Sequence, residues 1–394
     1  MNADALDLIL LFLLLFGVAA LVYWQRVLKK APPALLAPRP SSFAFLKFEE
    51  IVPFNRAART LDRQSPFWRD KMLFYGRAMR KANVKAVFFT HGTFTGNDPL
   101  GIVRFLKVVY PNLPPNIEAR IRAIIRKNNN RFLRDSGNFT PEYVAFFSKA
   151  LGGIPCHEFV WSSENHHVGR LRSAIILGET LAQHVEAHKL TANDRILLIG
   201  HSHAGQLFAL LSLLFHKDDV AKKIMSALDP NMAAAAQLAV AALQKVKLDF
   251  VTYGMPVRYP WGESCSKRLL NIVNHRGDSY LAGQLRGMLH TRGGDYIQQL
   301  GLIGSDLLAS HKGDRILNRQ LDEILGVGSD VRIWTQELRR RPRVSPFGHT
   351  LLVDYLDGAK AIPNGALTLF GHGIYTRHDS MLFNMSLIVN HFYL

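Results

Sequence analysis

Short apolar runs and stretches with helical spacing alternate along the chain from about residue 42 onward. The runs predict strands at Val84–Thr90, Cys156–Ser162, Arg195–Ile199, Leu248–Tyr253, Leu269–Val273, Val331–Thr335, Thr350–Tyr355 and Ala366–Phe370. The helical spacing predicts helices over Arg170–His188, Gln206–Phe215 and Ser380–Phe392. Continuous apolar runs joined by helices are typical of parallel strands that are covered on both faces. The pattern therefore predicts an α/β domain with a mainly parallel central sheet flanked by helices.

The amino-terminal pattern is different, because Leu8–Trp24 is uncharged and almost wholly apolar. At 1.5 Å per residue this stretch reaches about 25 Å, near the lower limit for a membrane span. Acidic residues precede it and basic residues follow it, which argues against a cleaved signal peptide and places the amino terminus outside. We therefore predict an N-terminal transmembrane helix within a membrane anchor (residues 1–30), a Pro-rich spacer (31–41) and an α/β domain (42–394). The protein would be a single-pass protein of a bacterial-type inner membrane with its domain in the cytoplasm.

Residues 99–150 and 279–329 interrupt the alternation of strands and helices. Both stretches follow strand ends and combine helical patterns with basic and turn residues. They are either helical cap insertions over a substrate site or ordinary helical connections.

The charge balance is strongly basic, with 48 Lys and Arg against 31 Asp and Glu and a net charge of +17. This excess indicates either an anionic partner, such as lipid head groups, or simply a solvated basic surface. No basic cluster has interleaved aromatic residues, so we expect no nucleic-acid partner. The cysteines, Cys156 and Cys265, imply no disulfide framework, and the irregular spacing of the histidines predicts no metal site.

The strongest chemical signal is the hexapeptide Gly200-His201-Ser202-His203-Ala204-Gly205, which follows an apolar strand and precedes an apolar helix. Small residues are needed on both sides of a nucleophile that stands on a sharp strand-to-helix turn. The context therefore predicts a nucleophile elbow with Ser202 at its tip. Here position 204 is Ala and the second glycine is displaced to Gly205.

A serine that attacks a carbonyl also needs N–H donors for the developing oxyanion. The N–H of His203 lies at the start of the predicted helix, where unpaired donors favour an anion. A second donor is expected from the loop after Val84–Thr90, at the N–H of Thr93 or Phe94, because Gly92 permits close approach.

The segments FTHGTFTG, FVWSS, LLIGHSHAG, VTYGMPVRYPW and NIVNHRGD together resemble the α/β-hydrolase superfamily. The part around TYGMPVR and NIVNHRGD is similar to class 3 lipases and related bacterial lipase-like proteins. The resemblance covers residues 84–280 well and 330–394 loosely. It implies an α/β-hydrolase fold and a triad in the chain order Ser, Asp, His. By position, Ser202 matches the nucleophile and Asp278 matches the acid, whereas Asp249 begins a strand and would lie at the wrong edge of the sheet.

The base of this triad must come from a histidine near the carboxyl terminus. His372 follows the last predicted strand, with a glycine on each side, and is the preferred base. His378 precedes the last helix and is the alternative. His349 precedes a strand and would lie at the opposite edge of the sheet.

These observations predict a membrane-anchored serine esterase or lipase that hydrolyses a carboxylic ester through an acyl-enzyme on Ser202. No cofactor is required for this chemistry, and the ester substrate could be a lipid. Two alternatives stay open: an acyltransferase of the same fold, and a non-catalytic scaffold tethered to the membrane.

Overall fold

The computed structural model describes most of the domain and leaves out the predicted anchor and spacer. The described residues are 42–47, 65–93, 95–98, 103, 106–107, 110, 112–133, 135–215, 219–262, 268–277, 281, 283, 285–301, 309, 312–325, 343–355 and 368–394. Within these ranges, no helix has both the length and the hydrophobicity that crossing a bilayer requires. The predicted span Leu8–Trp24 lies outside the described residues.

The described strands and helices alternate along the chain as the apolar pattern predicts. The strands are β1 (Ser42–Lys47), β2 (Val84–Thr90), β3 (Cys156–Phe159), β4 (Arg195–His201), β5 (Lys247–Tyr253), β6 (Leu269–Asn274) and β7 (His349–Asp354). The α-helices are α1 (Pro66–Lys81), α2 (Pro115–Leu133), α3 (Pro141–Ala150), α4 (His167–Ala187), α5 (Ala204–Leu214), α6 (Asp219–Ala227), α7 (Pro230–Leu243), α8 (Tyr296–Leu300), α9 (Lys312–Leu325) and α10 (Met381–Phe392). Short 3₁₀ helices span Leu285–His290 and His378–Ser380.

Several helices begin where the sequence supplies a cap. The Ser65 Oγ accepts a hydrogen bond from the backbone N–H of Trp68 (3.2 Å) at the start of α1, which has Pro66 as its first residue. The Thr140 Oγ1 does the same for Tyr143 (3.2 Å) at the start of α3. Proline is tolerated at this position because its missing N–H would have had no partner in the helix.

The strands form one seven-stranded sheet in the order β1-β7-β6-β5-β4-β2-β3, and every described pair is parallel. Successive side chains of a strand point to opposite faces. Phe89 accordingly packs in a core with α1, α3 and α10, and Phe88 in a second core with α4, α5 and α7. A parallel sheet with both faces buried explains why its strands read as continuous apolar runs. The predicted parallel sheet flanked by helices is confirmed.

The path of the chain reverses its direction within this sheet, next to the carboxyl ends of two neighbouring strands. From β2 the chain moves outward to β3, and it then returns to the other side of β2 to form β4. From β4 it continues in the opposite direction through β5, β6 and β7. Ligands of open parallel sheets bind outside the carboxyl ends of the strands where the direction reverses. That point lies here between the carboxyl ends of β2 and β4.

Two strand predictions differ from the structure, and one strand was not predicted. The edge strand β1 was not expected, and β3 ends at Phe159 instead of Ser162. The prediction of a strand at Ala366–Phe370 is wrong in its described part, because Thr368 lies in a 3₁₀ turn and Leu369 has a positive φ of 48°. The predicted strand Val331–Thr335 lies outside the described residues.

The helices of the two candidate insertions differ in how deeply they are buried. In residues 99–150, Tyr143 and Phe147 of α3 pack in the core beside Phe89, so that α3 flanks the sheet. In residues 279–329, Leu321 and Leu325 of α9 join the second core. The helix α2 has no buried side chain among those that the structure describes.

Candidate active site

The turn between β4 and α5 is sharp, and it has Ser202 at its tip. Ser202 adopts a φ of 56°, a conformation that residues other than glycine rarely adopt. The N–H of Ser202 donates a hydrogen bond of 2.8 Å to the carbonyl of Tyr253 at the end of β5. Such local strain persists only where the surrounding structure enforces it, and it is concentrated at functional sites.

The glycines around this turn are required by close packing. A Cβ at Gly200 would lie 2.5 Å from Cε2 of Phe208, and one at Gly205 would lie 2.4 Å from Sδ of Met255. Ala204, which lies between these glycines in the sequence, is fully buried. The small residues of the hexapeptide therefore allow α5 to begin immediately beyond the serine.

A buried carboxylate orients the ring of His372. The His372 Nδ1 lies 2.7 Å from Oδ2 of Asp295, and the hydroxyl of Tyr375 donates to the same oxygen at 2.7 Å. The other carboxylate oxygen, Oδ1, accepts from the backbone N–H of Gln298 (2.8 Å), so that Asp295 also caps α8. These contacts fix both the position and the rotation of the carboxylate.

The electrostatics of the pair favour an ionised Asp295. Burial alone would raise its pKa, but the charge and hydrogen bond of His372, together with the charge of Arg343, hold that pKa below its ordinary value. When His372 is neutral, the ionised carboxylate accepts a hydrogen bond from its Nδ1–H, which leaves the lone pair of the ring on Nε2. The Nε2 of His372 is buried and has no hydrogen-bond partner within the described ranges. A neutral imidazole nitrogen with a free lone pair can accept a proton.

The His372–Asp295 pair lies against the elbow. The Nε2–H of His201, the residue before the serine, donates to the backbone carbonyl of His372 (2.9 Å), and the two rings lie 4.4 Å apart between centroids. At Gly254, the residue after Tyr253, a Cβ would lie 2.5 Å from Oδ2 of Asp295 and 3.1 Å from Nδ1 of His372. Only a glycine at the end of β5 therefore lets the pair approach the turn that holds Ser202.

The loop after β2 packs directly on the serine. A Cβ at Gly92 would lie 2.7 Å from Cβ of Ser202. The next residue, Thr93, bonds through Oγ1 to Nδ1 of His203 (2.7 Å), and Nε2 of His203 lies 2.9 Å from the carbonyl of Gly301. Because a carbonyl only accepts, His203 carries its proton on Nε2 and accepts from the hydroxyl of Thr93. Burial, followed by the charge of Arg170, lowers the pKa of His203 well below its ordinary value, which keeps this ring neutral.

The direction of the Thr93 N–H is set by the peptide group it belongs to. The carbonyl of Gly92 accepts hydrogen bonds from Thr95 Oγ1 (2.8 Å) and Ser163 Oγ (3.0 Å). In a trans peptide the N–H points opposite to the carbonyl, so the N–H of Thr93 points away from these two hydroxyls. Neither this N–H nor that of His203 donates to another residue in the described part of the chain. Both predicted oxyanion donors are therefore available beside Ser202.

The alternative base His378 and the two candidates rejected from sequence, His349 and Asp249, have other partners. Asp278 lies outside the described residues, and the carboxylate that contacts His372 is Asp295. His378 bonds through Nδ1 to Oδ2 of Asp135 (3.0 Å) and fastens the carboxyl-terminal loop. His349 lies at the amino end of β7, 2.7 Å from Ser42 Oγ, and Asp249 pairs with Arg195 at the amino end of β4.

Asp295 was not among the site residues predicted from sequence, although the sequence carries a local signal for it as a helix cap. It follows Gly293-Gly294 and precedes α8, with Gln298 three positions on, which is the spacing of a helix cap. This signal identifies a capping carboxylate but gives no indication of its contact with His372.

The buried neutral histidines predict that the fold weakens in acid. Burial, followed by the charge of His372, lowers the pKa of His201 to about 3, and burial with the charge of Arg126 does the same for His91. An unfolded histidine has a pKa of about 6.5, so the unfolded chain binds more protons between about pH 6.5 and 3. We therefore expect each of these two histidines to lower the free energy of unfolding by about 2 kcal/mol when the pH falls from 7 to 5. Urea unfolding at pH 7, 6 and 5 measures this slope.

A matched pair of variants tests whether His201 causes part of this pH dependence of the unfolding free energy. His201→Gln should make the pH dependence shallower, whereas Gln237→Asn, at an exposed position of α7 that does not titrate, should leave it unchanged. Equal slopes in wild type and His201→Gln would contradict the assignment.

Comparison with known proteins gives no relative on which to base a function. No family model, no curated protein and no solved structure matches the chain. Among the described residues, no group of three or more His, Cys, Asp or Glu side chains is arranged to hold a metal ion. What the site does is therefore argued from its geometry.

Proposed function

We propose that this chain is a serine hydrolase that cleaves carboxylic esters through an acyl-enzyme on Ser202. The observation that carries the proposal is the buried Asp295–His372 pair, whose Nε2 has no described partner and which packs against the strained elbow of Ser202. The chain order Ser202, Asp295, His372 is the order that the α/β-hydrolase resemblance implies, with a different acid. The parallel sheet with the elbow after a central strand supports the α/β-hydrolase fold.

The first half of the reaction forms the acyl-enzyme. His372 Nε2 takes the proton of Ser202 Oγ while Oγ bonds to the ester carbonyl carbon. The π electrons of the carbonyl move to its oxygen, which accepts hydrogen bonds from the N–H groups of Thr93 and His203. The protonated His372 then gives its proton to the alkoxide oxygen as the C–O bond breaks, which releases the alcohol.

The second half repeats these steps with water. His372 removes a proton from a water molecule, whose oxygen attacks the acyl carbon, and Ser202 Oγ leaves with that proton as the acid departs. Throughout, the ionised Asp295 holds His372 in the tautomer with its proton on Nδ1 and stabilises the imidazolium that forms. The positive charge of the buried Arg170, which lowers the pKa of His203, also favours an oxyanion nearby.

Fluorophosphonate labelling of the purified protein tests the proposal. The reagent should label wild type on Ser202, and Ser202→Ala should lose the label. A protein that never labels would overturn the proposal and leave a scaffold. Product analysis with and without added alcohols then separates hydrolysis from acyl transfer.

His201 should position the base without taking part in the chemistry. Its hydrogen bond to the carbonyl of His372 ties the loop of the base to the residue before the nucleophile. A displacement of about 1 Å can cost about 100-fold, and we expect a loss of up to that size in kcat for His201→Ala with little change in KM. His201→Gln retains an N–H donor and should recover part of the loss. Steady-state kinetics of both variants, with His157→Ala on β3 as control, would contradict this role if His201→Ala kept its kcat.

A further inference from the structure

The helix α2 (Pro115–Leu133) is attached to the domain through polar contacts. Arg122 bonds to Asn97 Oδ1 (3.1 Å), Arg126 contacts the carbonyl of Thr95 and the carboxylate of Glu158, and Asn129 donates to the carbonyl of Gly96 (2.9 Å). None of the described side chains of α2 is buried. Most helices in proteins are stabilised by burying an apolar face, whereas this one turns Arg122, Arg126 and Asn129 toward the domain.

The outward side of α2 carries one continuous stripe at helical spacing. It consists of Ile117, Arg120, Ile124, Lys127 and Arg131, which all lie within one face of a helix of 3.6 residues per turn. Ile117 is 44% exposed and Ile124 is 52% exposed. We call these five residues the α2 stripe.

The charges of the α2 stripe are of one sign. Its three cations form no ion pair with any residue that the structure describes. The acid of the helix, Glu118, is turned away from the stripe and pairs with Lys107 (2.6 Å) and Arg122 (3.1 Å). The stripe therefore presents branched aliphatic side chains between uncompensated positive charges.

This combination selects among possible partners. Pairing of the α2 stripes of two copies would bring Arg120 and Lys127 against like charges, which is unfavourable. A nucleic acid would be expected to stack on aromatic residues, and the stripe has none. Helices with cations and large apolar side chains on an exposed face bind at the boundary of anionic bilayers. The predicted span Leu8–Trp24 would hold the domain close to such a surface.

We propose that the α2 stripe lies on the head-group region of an anionic membrane, with Ile117 and Ile124 inserted at its boundary. This goes beyond the proposed hydrolase activity and uses none of the residues of its chemistry. Because α2 is bonded to residues 95–97, the stripe and the loop that follows β2 form one structural unit. The membrane contact would therefore lie next to the candidate active site.

A fluorescent label at position 124 tests the contact, and Ile176 provides the matched control. Ile176 lies on α4 and is 53% exposed, the same as Ile124 within one per cent. Each is replaced by cysteine in the full chain carrying Cys265→Ser. Burial raises the pKa of the Cys156 thiol to about 12, so this residue stays unreactive at neutral pH. The nitrobenzoxadiazole-labelled variants are reconstituted in vesicles of phosphatidylcholine alone or with phosphatidylserine, with and without doxyl-labelled lipid.

We expect the label of Ile124→Cys to shift to shorter wavelength and lose emission to doxyl lipid when phosphatidylserine is present, and that of Ile176→Cys to do neither. Equal behaviour of the two labels would overturn the proposal. A blue shift without quenching by doxyl lipid would indicate a protein partner, and equal quenching in phosphatidylcholine alone would refute the role of anionic lipid. None of these readings requires turnover, so they are independent of the result of fluorophosphonate labelling.

Discussion

Replacing Ser202 by alanine is expected to lower kcat for a carboxylic ester by about 10⁶-fold, the loss found when a nucleophile of this type is removed. Without Oγ no acyl-enzyme forms, and the only remaining contribution comes from the N–H groups of Thr93 and His203. Turnover of a chromogenic ester by wild type and Ser202→Ala measures the difference.

The fold of this variant should be intact, since alanine keeps the Cβ that packs beside Gly92. A suitable control is Ser212→Ala, which removes a buried hydroxyl of α5 that bonds to the carbonyl of Ala209. That variant should lose stability but keep its kcat. Substantial ester turnover by folded Ser202→Ala would rule out Ser202 as the nucleophile.

Asp295→Asn should lower kcat by about 10⁴-fold with little change in structure, because the amide has the size of the carboxylate. The hydroxyl of Tyr375 and the N–H of Gln298 both donate to this side chain, so the amide has to orient its oxygen and its NH₂ among donors. An NH₂ facing His372 would favour the tautomer with the proton on Nε2, which cannot accept the proton of Ser202. The ratio of kcat to KM across pH reports this loss.

The decisive comparison is with the acid that the resemblance implies. Asp278→Asn should change kcat by only a few fold, and Asp135→Asn, which removes the partner of His378, should mainly lower stability. If Asp278→Asn lost more activity than Asp295→Asn, the assignment of the acid would be wrong.

The elbow and the loop after β2 were predictable because their signals are local. A strand, a run of small residues around Ser202 and an apolar helix follow one another directly in the sequence. Gly92 and Thr93 follow β2 in the same way. Parallel strands bring their carboxyl ends to one edge of a sheet, so that two such loops meet without any further information.

The proposed acid, Asp295, was less predictable because its contact with His372 is long-range. Asp295 follows no strand directly; it reaches His372 from the cap of the short helix α8. From sequence alone, a carboxylate that ends a strand, such as that of Asp278, fits the resemblance better. Asp295 is held in place by the hydroxyl of Tyr375, which donates to Oδ2, and by Arg343, which donates to its backbone carbonyl, and both residues lie far along the chain.

Tertiary structure also overrode local preference near the base. Residues Ala366–Phe370 form a short, mostly apolar run that predicts a strand, yet Leu369 and Phe370 adopt positive φ values of 48° and 53°. The carbonyl of Thr368 accepts hydrogen bonds from the N–H groups of Gly371 and Gly373. These bonds form the tight turn that places His372 beside the elbow. The strand β1 was missed because its apolar pattern is weak. It is a short strand at the edge of the sheet, and Phe45 remains 49% exposed.

A crystal structure of the fluorophosphonate adduct tests the central claim most directly, because its phosphoryl group mimics the tetrahedral intermediate. We predict a covalent bond to Ser202 Oγ, a phosphoryl oxygen within hydrogen-bond distance of the N–H groups of Thr93 and His203, and His372 Nε2 facing the serine while Nδ1 stays bonded to Asp295. An adduct on another residue, or one on Ser202 with the phosphoryl oxygen away from both N–H groups and His372 turned from the serine, would contradict it.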